Sequence, residues 1–267
     1  MPTHSVNGIN IYYEIEGQGP PLLFLHGLGS SSRGWAFQRE PFAQRFHVIL
    51  VDARGHGNSD KPPGPYSVAM MAADVAGLLD ALETGPVHVV GLSMGGMIGF
   101  QLAVDRPDLV RSLVAVNSLP ELVPHTLGER LALWQRKLLM RLLSPQRLAR
   151  ALGQRLFPKP EQKELLDAFV EDFMRNDPAA YRAAAHALMG WSVRDRIGQI
   201  ACPALFVSGD RDYTPPAAKE AYAQEIPNAR AAVIPDSGHA TPVDQPDAFN
   251  EVVLNFLSSI ATDDSRL

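Results

Sequence analysis

Apolar residues fall along this chain in short runs separated by longer stretches with helical spacing. The runs Ile9–Ile15, Leu22–Leu25, Val48–Val51, Val87–Gly91, Ser112–Asn117, Ala204–Ser208 and Arg230–Ile234 predict strands. Most are β-branched or leucine-rich without clean polar alternation, the pattern of strands buried on both faces of a parallel sheet. Helical spacing covers Ser67–Leu82, Met94–Val104, Ala217–Gln224 and Pro246–Ile260, with Pro and Gly gathered at the junctions. Alternating strands and helices predict an α/β fold: a doubly wound, mostly parallel sheet that binds ligands at the carboxyl ends of its strands.

One stretch breaks this rhythm. From Leu119 to Arg196 no strand is predicted, only helical segments such as Glu129–Leu143, Glu161–Arg175 and Ala179–Met189. That is too long for a loop and reads as a helical insertion. The expected organisation is a core of residues 1–118 and 197–267 with an inserted unit at 119–196. Residues Thr262–Leu267 read as a frayed tail.

Composition narrows the function classes. The chain has 267 residues, 46 % of them hydrophobic, and 24 basic against 29 acidic side chains give a net charge of −5. Disorder requires low hydrophobicity and high net charge, and a nucleic-acid partner requires an excess of Lys and Arg, so neither is expected. A single cysteine, Cys202, allows no internal disulfide and no thiolate cluster, and it reads as a buried small side chain. No apolar stretch approaches the roughly 20 residues that span a bilayer. The start, Met1-Pro2-Thr3-His4, lacks the basic flank and apolar core of a signal peptide, so a cytoplasmic setting is expected.

The strongest chemical signal is Gly91-Leu92-Ser93-Met94-Gly95, between a predicted strand and a predicted helix. This G-x-S-x-G spacing is that of a nucleophile elbow, a turn so tight that only small residues fit beside the serine. A serine hydroxyl is a weak nucleophile at neutral pH and needs a base, which in turn needs an orienting carboxylate. In such a fold the order is Ser, acid, His, at the ends of successive strands. His239 follows the last predicted strand in Asp236-Ser237-Gly238-His239. His26 and His56 precede Ser93, the wrong order for the base. Asp210, Asp212, Asp236 and Asp244 are all available as the acid, although Asp236 and Asp244 lie too near His239 in the chain for a neighbouring strand end. An oxyanion needs two donors. The N–H of Met94, at a helix start, is one candidate, and the N–H of Leu28 in His26-Gly27-Leu28-Gly29 is the other.

Taken together, these motifs resemble the α/β-hydrolase superfamily, and within it the lidded esterase and lactonase-like group. The resemblance rests on His26–Gly29, Asp52-Ala53-Arg54-Gly55-His56-Gly57-Asn58-Ser59, the elbow, Gly209–Asp212 and Ser237-Gly238-His239, all in order. It implies that the acid is Asp212, three residues after Gly209, with Asp210 pinning the turn. It implies that Asp52, Arg54 and Ser59 shape a loop rather than catalyse. It also implies that 119–196 forms a lid (cap) over the nucleophile, with Leu119, Trp134, Phe157, Met189 and Trp191 as candidate pocket walls. Serine at position 93 sets the chain apart from relatives with Asp there, the haloalkane dehalogenases and epoxide hydrolases.

The expected activity is hydrolysis of a small-molecule carboxylic ester of short to medium acyl chain through an acyl-enzyme. The catalytic set is Ser93, Asp212 and His239, with Leu28 and Met94 as oxyanion donors and no metal or organic cofactor. The alternatives are a lactonase like 3-oxoadipate enol-lactonase, a carbon–carbon bond hydrolase, or a non-catalytic small-molecule receptor. Between Glu129 and Arg155 the inserted unit carries seven basic residues against one acid beside an apolar stripe. That stripe reads as facing the pocket, with the charges in water.

Overall fold

The computed structural model describes residues 2–264 of the chain. Eight strands form one sheet: β1 (Thr3–Val6), β2 (Ile9–Glu16), β3 (Pro21–Leu25), β4 (His47–Val51), β5 (Val87–Leu92), β6 (Val110–Val116), β7 (Ala204–Gly209) and β8 (Ala229–Ile234). Their spatial order is β1-β2-β4-β3-β5-β6-β7-β8; β2 pairs antiparallel with both β1 and β4, and the remaining pairs are parallel. The sheet is therefore the mostly parallel one expected. The sequence reading omitted β1, whose Thr3, His4 and Ser5 offer no apolar run and whose edge position demands none.

Helices cover both faces. They are α1 (Ala36–Ala43), α2 (Val68–Ala81), α3 (Met94–Asp105), α4 (Leu127–Leu142), α5 (Pro145–Leu156), α6 (Lys163–Phe173), α7 (Pro178–Leu188), α8 (Pro216–Gln224), the single turn α9 (Thr241–Asp244) and α10 (Pro246–Asp264). Ser67 starts α2 by accepting the Met70 N–H at 3.0 Å, as an N-cap should. The sequence reading also passed over α1, where Pro41 lies inside the helix and only Gln38 and Phe42 are buried. Helix α10 continues past Ile260 to Asp264, into the expected frayed tail, and residues 265–267 lie outside the described residues.

Two apolar cores sandwich the sheet. One joins Leu23, Ile49, Val89, Leu113 and Phe206 to α2 and α3, including Leu78, Ile98 and Phe100. The other joins Phe24, Leu50, Val90, Val114 and Val207 to Trp35, Phe42 and α10. Both faces of each central strand are thus buried, which is why these strands show no alternation.

Register decides where chemistry can occur. Leu92 lies beside Val116, Val116 beside Val207, and Val207 beside Ala232. The segments that follow β5, β6, β7 and β8 consequently leave the sheet along one edge.

Helices α4–α7 occupy the chain between β6 and β7. The two ends of this insertion are stitched together: Leu122 N–H donates to the Trp191 carbonyl at 2.8 Å, Gly190 N–H to Leu122 at 2.9 Å, and Val193 N–H to Pro120 at 2.9 Å. Its helices share their own apolar cluster of Met140, Leu148, Ala149, Phe173, Tyr181 and Ala185, against which Leu28 packs. The Asn176 side-chain amide donates to the Gly29 carbonyl at 2.7 Å, tying the insertion to the loop after β3.

Candidate active site

Ser93 ends β5 at φ 52° and ψ −110°, a strained backbone conformation for a residue with a Cβ. The sequence around it makes that conformation affordable. A methyl group on Gly91 would overlap the Gly95 backbone, and one on Gly95 would overlap the Leu25 carbonyl, so glycine is required at both. Ser93 N–H donates to the Val116 carbonyl at 2.8 Å, and the Ser118 hydroxyl donates to the Ser93 carbonyl at 2.8 Å. Among the described residues, no hydrogen bond engages Ser93 Oγ.

Met94 opens α3 directly after the serine. Its N–H is one of the first-turn donors that have no partner within a helix. Leu28 lies on the loop after β3, between that loop and the apolar cluster of the insertion.

His239 and Asp212 meet. Imidazole Nδ1–H donates to Asp212 Oδ1 at 2.7 Å, with the carboxylate fully buried and the imidazole nearly so. Burial alone would push the Asp212 carboxyl up. The bond to His239 and the Lys219 ammonium outweigh it and hold the group down at about 2. On the other ring nitrogen, Nε2 accepts from the Tyr213 hydroxyl, and the two rings stack with centroids 4.0 Å apart. The Arg155 guanidinium, at the end of α5, lies 4.9 Å above the Tyr213 ring.

The other acids have different tasks. Asp210 accepts the Ser237 N–H at 3.0 Å, joining the turn after β7 to the loop that carries His239. Asp244 accepts the Gly238 N–H at 2.7 Å and the Ser237 hydroxyl at 2.9 Å. Asp236 pairs with Lys159 at 2.5 Å. None of these three contacts the imidazole in the way that Asp212 does.

Sequence reasoning passed over two residues here. Asn117, after β6, donates through its amide to the His239 carbonyl at 2.8 Å and Thr241 Oγ1 at 2.7 Å, and accepts the Gly209 N–H at 3.0 Å. It clamps the acid turn to the histidine loop. Lys219, in the first turn of α8, is completely buried with Nζ 2.5 Å from Asp212 Oδ2.

The motif after β4 is structural. Asp52 accepts the N–H groups of Ser32 at 2.6 Å and Asn58 at 2.7 Å, Arg54 pairs twice with Asp74 at 2.7 and 2.8 Å, and Ser59 donates to the Asp52 carbonyl.

The candidate pocket walls scatter. Trp134 is 59 % exposed on α4, with Leu127, Leu131 and Leu142 of the same helix also exposed. The stripe expected to be covered is thus open, because α4 packs on its neighbours mainly through Met140. Trp191 donates through its indole N–H to Gln101 at 2.7 Å and packs on the main core. These contacts anchor the insertion to the main core. Phe157 is buried against Phe169, Met189 packs on the insertion's cluster, and Leu119 is half-buried after β6. Cys202 is half-buried rather than enclosed, and burial pushes its thiol up to about 11.

A recess of about 460 Å³ lies between Tyr66 and α7, lined by Arg182 and His186 among others, and none of Ser93, Asp212 and His239 contributes to its wall.

Comparison with known proteins agrees with this architecture. A family model described as the alpha/beta hydrolase fold matches residues 20–246. The chain belongs to the alpha/beta hydrolase family. It is 32 % identical over 266 residues to a protein of Azorhizobium caulinodans named carbamate hydrolase RutD, covering 97 % of this chain and 99 % of that one. Its structure matches an enol-lactonase from Burkholderia xenovorans with a TM-score of 0.88 and 29 % identity, over 96 % of this chain and 100 % of that one. A thermophilic esterase from Thermogutta terrifontis matches with a TM-score of 0.86 and 29 % identity, over 97 % of each chain. The chain is a hydrolase of this family. Among the described residues, no helix is long and apolar enough to cross a membrane.

Proposed function

We propose that this hydrolase cleaves small carboxylic esters through an acyl-enzyme on Ser93. The observation that carries the reading is the 2.7 Å bond between His239 Nδ1 and Asp212 Oδ1, at the same sheet edge as the strained turn of Ser93. With the proton fixed on Nδ1, Nε2 carries the lone pair that can accept a proton. After turning from Tyr213 it takes the Ser93 proton as Oγ attacks the carbonyl. The N–H groups of Met94 and Leu28 receive the negative charge of the tetrahedral intermediate. His239 then returns the proton to the leaving alcohol, and water repeats the sequence to release the acid.

The helices of 119–196 act as the lid. Leu28 packs into their cluster, Asn176 holds Gly29, and Arg155 covers Tyr213, so the insertion touches both the oxyanion loop and the base. Such a cover favours short to medium acyl chains. A cytoplasmic setting fits a chain with one free thiol.

A lactone is an internal ester and opens by the same steps. The names of the enol-lactonase neighbour and the carbamate hydrolase relative support lactones and carbamates as the second substrate class. Rates on p-nitrophenyl esters of graded chain length, lactones and aryl carbamates, with Ser93→Ala alongside, test the reading. The variant should fold and lose several orders of magnitude in turnover. Retained turnover in Ser93→Ala overturns the nucleophile. Ligand binding without any turnover would point instead to a receptor.

A further inference from the structure

Lys219 sits where a lysine is costly. It lies in the first turn of α8, at the end of a helix that disfavours cations, and its side chain is wholly removed from water. Burial lowers the Lys219 pKa, and the charge of Asp212 opposes that shift. Three acceptors compensate: Asp212 Oδ2 at 2.5 Å, Thr214 Oγ1 at 2.6 Å and the Thr214 carbonyl. The carboxylate of Asp212 is thus divided, with Oδ1 on His239 and Oδ2 on Lys219.

We propose that Lys219 is a positioning residue for this site, which shares the Asp212 carboxylate with His239 and makes the imidazole a weaker base than Asp212 alone would. The inference rests on the hydrolase reading of Ser93 and His239. Its sign follows from charge counting. An aspartate and an imidazolium by themselves sum to zero, so the carboxylate favours protonation of the ring. With the ammonium already neutralising the carboxylate, protonating the ring leaves a net positive charge in a buried site, which is unfavourable. His239 consequently stays neutral, and able to accept the serine proton, to lower pH. Among the described residues, the other charged or titratable groups around the ring and its loop are Tyr213, Arg155, Asp210, Arg211, Asp244, Lys159 and Asp236. Of these only Tyr213 contacts the ring directly, on Nε2, and the partners of the others lie on the flanking backbone, the Tyr213 ring or one another.

The test follows the His239 imidazole by NMR on ¹⁵N-histidine-labelled protein, together with the acid limb of kcat/KM on a p-nitrophenyl ester. In the native protein the titration midpoint should lie below the ordinary value of about 6.5. Lys219→Met and Lys219→Gln should each raise it by about one pH unit or more, and the acid limb should move with it. A lysine that only anchors the turn would change stability and leave the midpoint in place, and an unchanged midpoint in either folded variant overturns the proposal. A native midpoint at or above about 6.5 also overturns it, and needs no variant to fold. Failure of the hydrolase reading is a separate outcome, seen as full turnover in Ser93→Ala, and leaves the titration of His239 unaffected.

Discussion

The Tyr213 hydroxyl donates to Nε2 of His239, the nitrogen through which a histidine at this position would serve Ser93. The contact is reinforced by the stacked rings and by Arg155 from the insertion above them. Base, tyrosine and insertion therefore form one packed unit. In the proposed reaction the imidazole exchanges its tyrosine partner for the serine before the first proton transfer.

Tyr213→Phe keeps the stack and removes only the hydroxyl. Freed of that competitor, kcat/KM on a small ester should rise roughly two- to ten-fold, the worth of one hydrogen bond. A fall of ten-fold or more in the same assay would mean that the hydroxyl binds the substrate or its leaving group.

Asp212→Asn and Asp210→Asn separate the two acids of the turn. The first removes the acceptor that fixes the Nδ1 proton and should lower turnover by roughly 10⁴, following the precedent for loss of the correct tautomer. The second leaves the imidazole its partner and weakens only the Ser237 N–H bond, so turnover should fall by no more than about ten-fold. Steady-state rates on folded variants decide it, and the opposite ranking would transfer the role to Asp210.

Much of this arrangement was legible in the sequence, because the features concerned are local. The strands β3–β8 are short apolar runs, the elbow is a spacing of small residues about a serine, and the order of Ser93, Asp212 and His239 follows the order of the strands. The features that were not legible depend on contacts between distant segments. Asn117 after a strand looks like any turn residue until Gly209, His239 and Thr241 close around it. Lys219 precedes Glu220 in a short helix with exposed positions, and no local pattern marks it as buried beneath Asp212. The exposure of Trp134 was not legible for a related reason: helical spacing shows which residues share a face, but not whether another element covers that face.

Asn117→Ala tests how far the clamp supports the site. It would leave the buried Gly209 N–H without its acceptor and remove the donor to the His239 carbonyl. A loss of about 2–4 kcal/mol in unfolding free energy is expected, since each stranded group costs about 1–3 kcal/mol. Turnover should fall as well, because the acid turn and the histidine loop lose their shared tie. Unfolding in urea with matched rates on the same preparation measures both, and a variant as stable as the native protein would show that the three loops hold their positions without it.

The last prediction concerns acid stability and comes from two histidines outside the proposed catalytic set. His26 is buried after β3, where Nδ1–H donates to the Gly27 carbonyl at 2.8 Å and Nε2 accepts the Ala53 N–H at 3.0 Å. Both nitrogens are satisfied only in the neutral ring, and burial lowers its pKa to about 4. His56 lies 5.1 Å away, ring to ring, and among the described residues its buried Nε2 has no hydrogen-bond partner. Burial, with the His26 charge adding to it, lowers His56 to about 3. In the unfolded chain both rings titrate near 6.5, so below that pH the unfolded state binds protons that the folded state refuses. Their contribution is complete above about pH 6.5 and is lost as pH falls, down to the folded values. Between pH 6.5 and 5, before most carboxylates titrate, each ring should remove about 2 kcal/mol of stability. Asp212, held at about 2, contributes nothing to that window. Urea midpoints for the native protein and His56→Phe at steps from pH 8 to 5 give the comparison. The variant should lose about half as much stability over the window, whatever its stability at pH 8. Equal losses in the two proteins would show that His56 takes up its proton without unfolding.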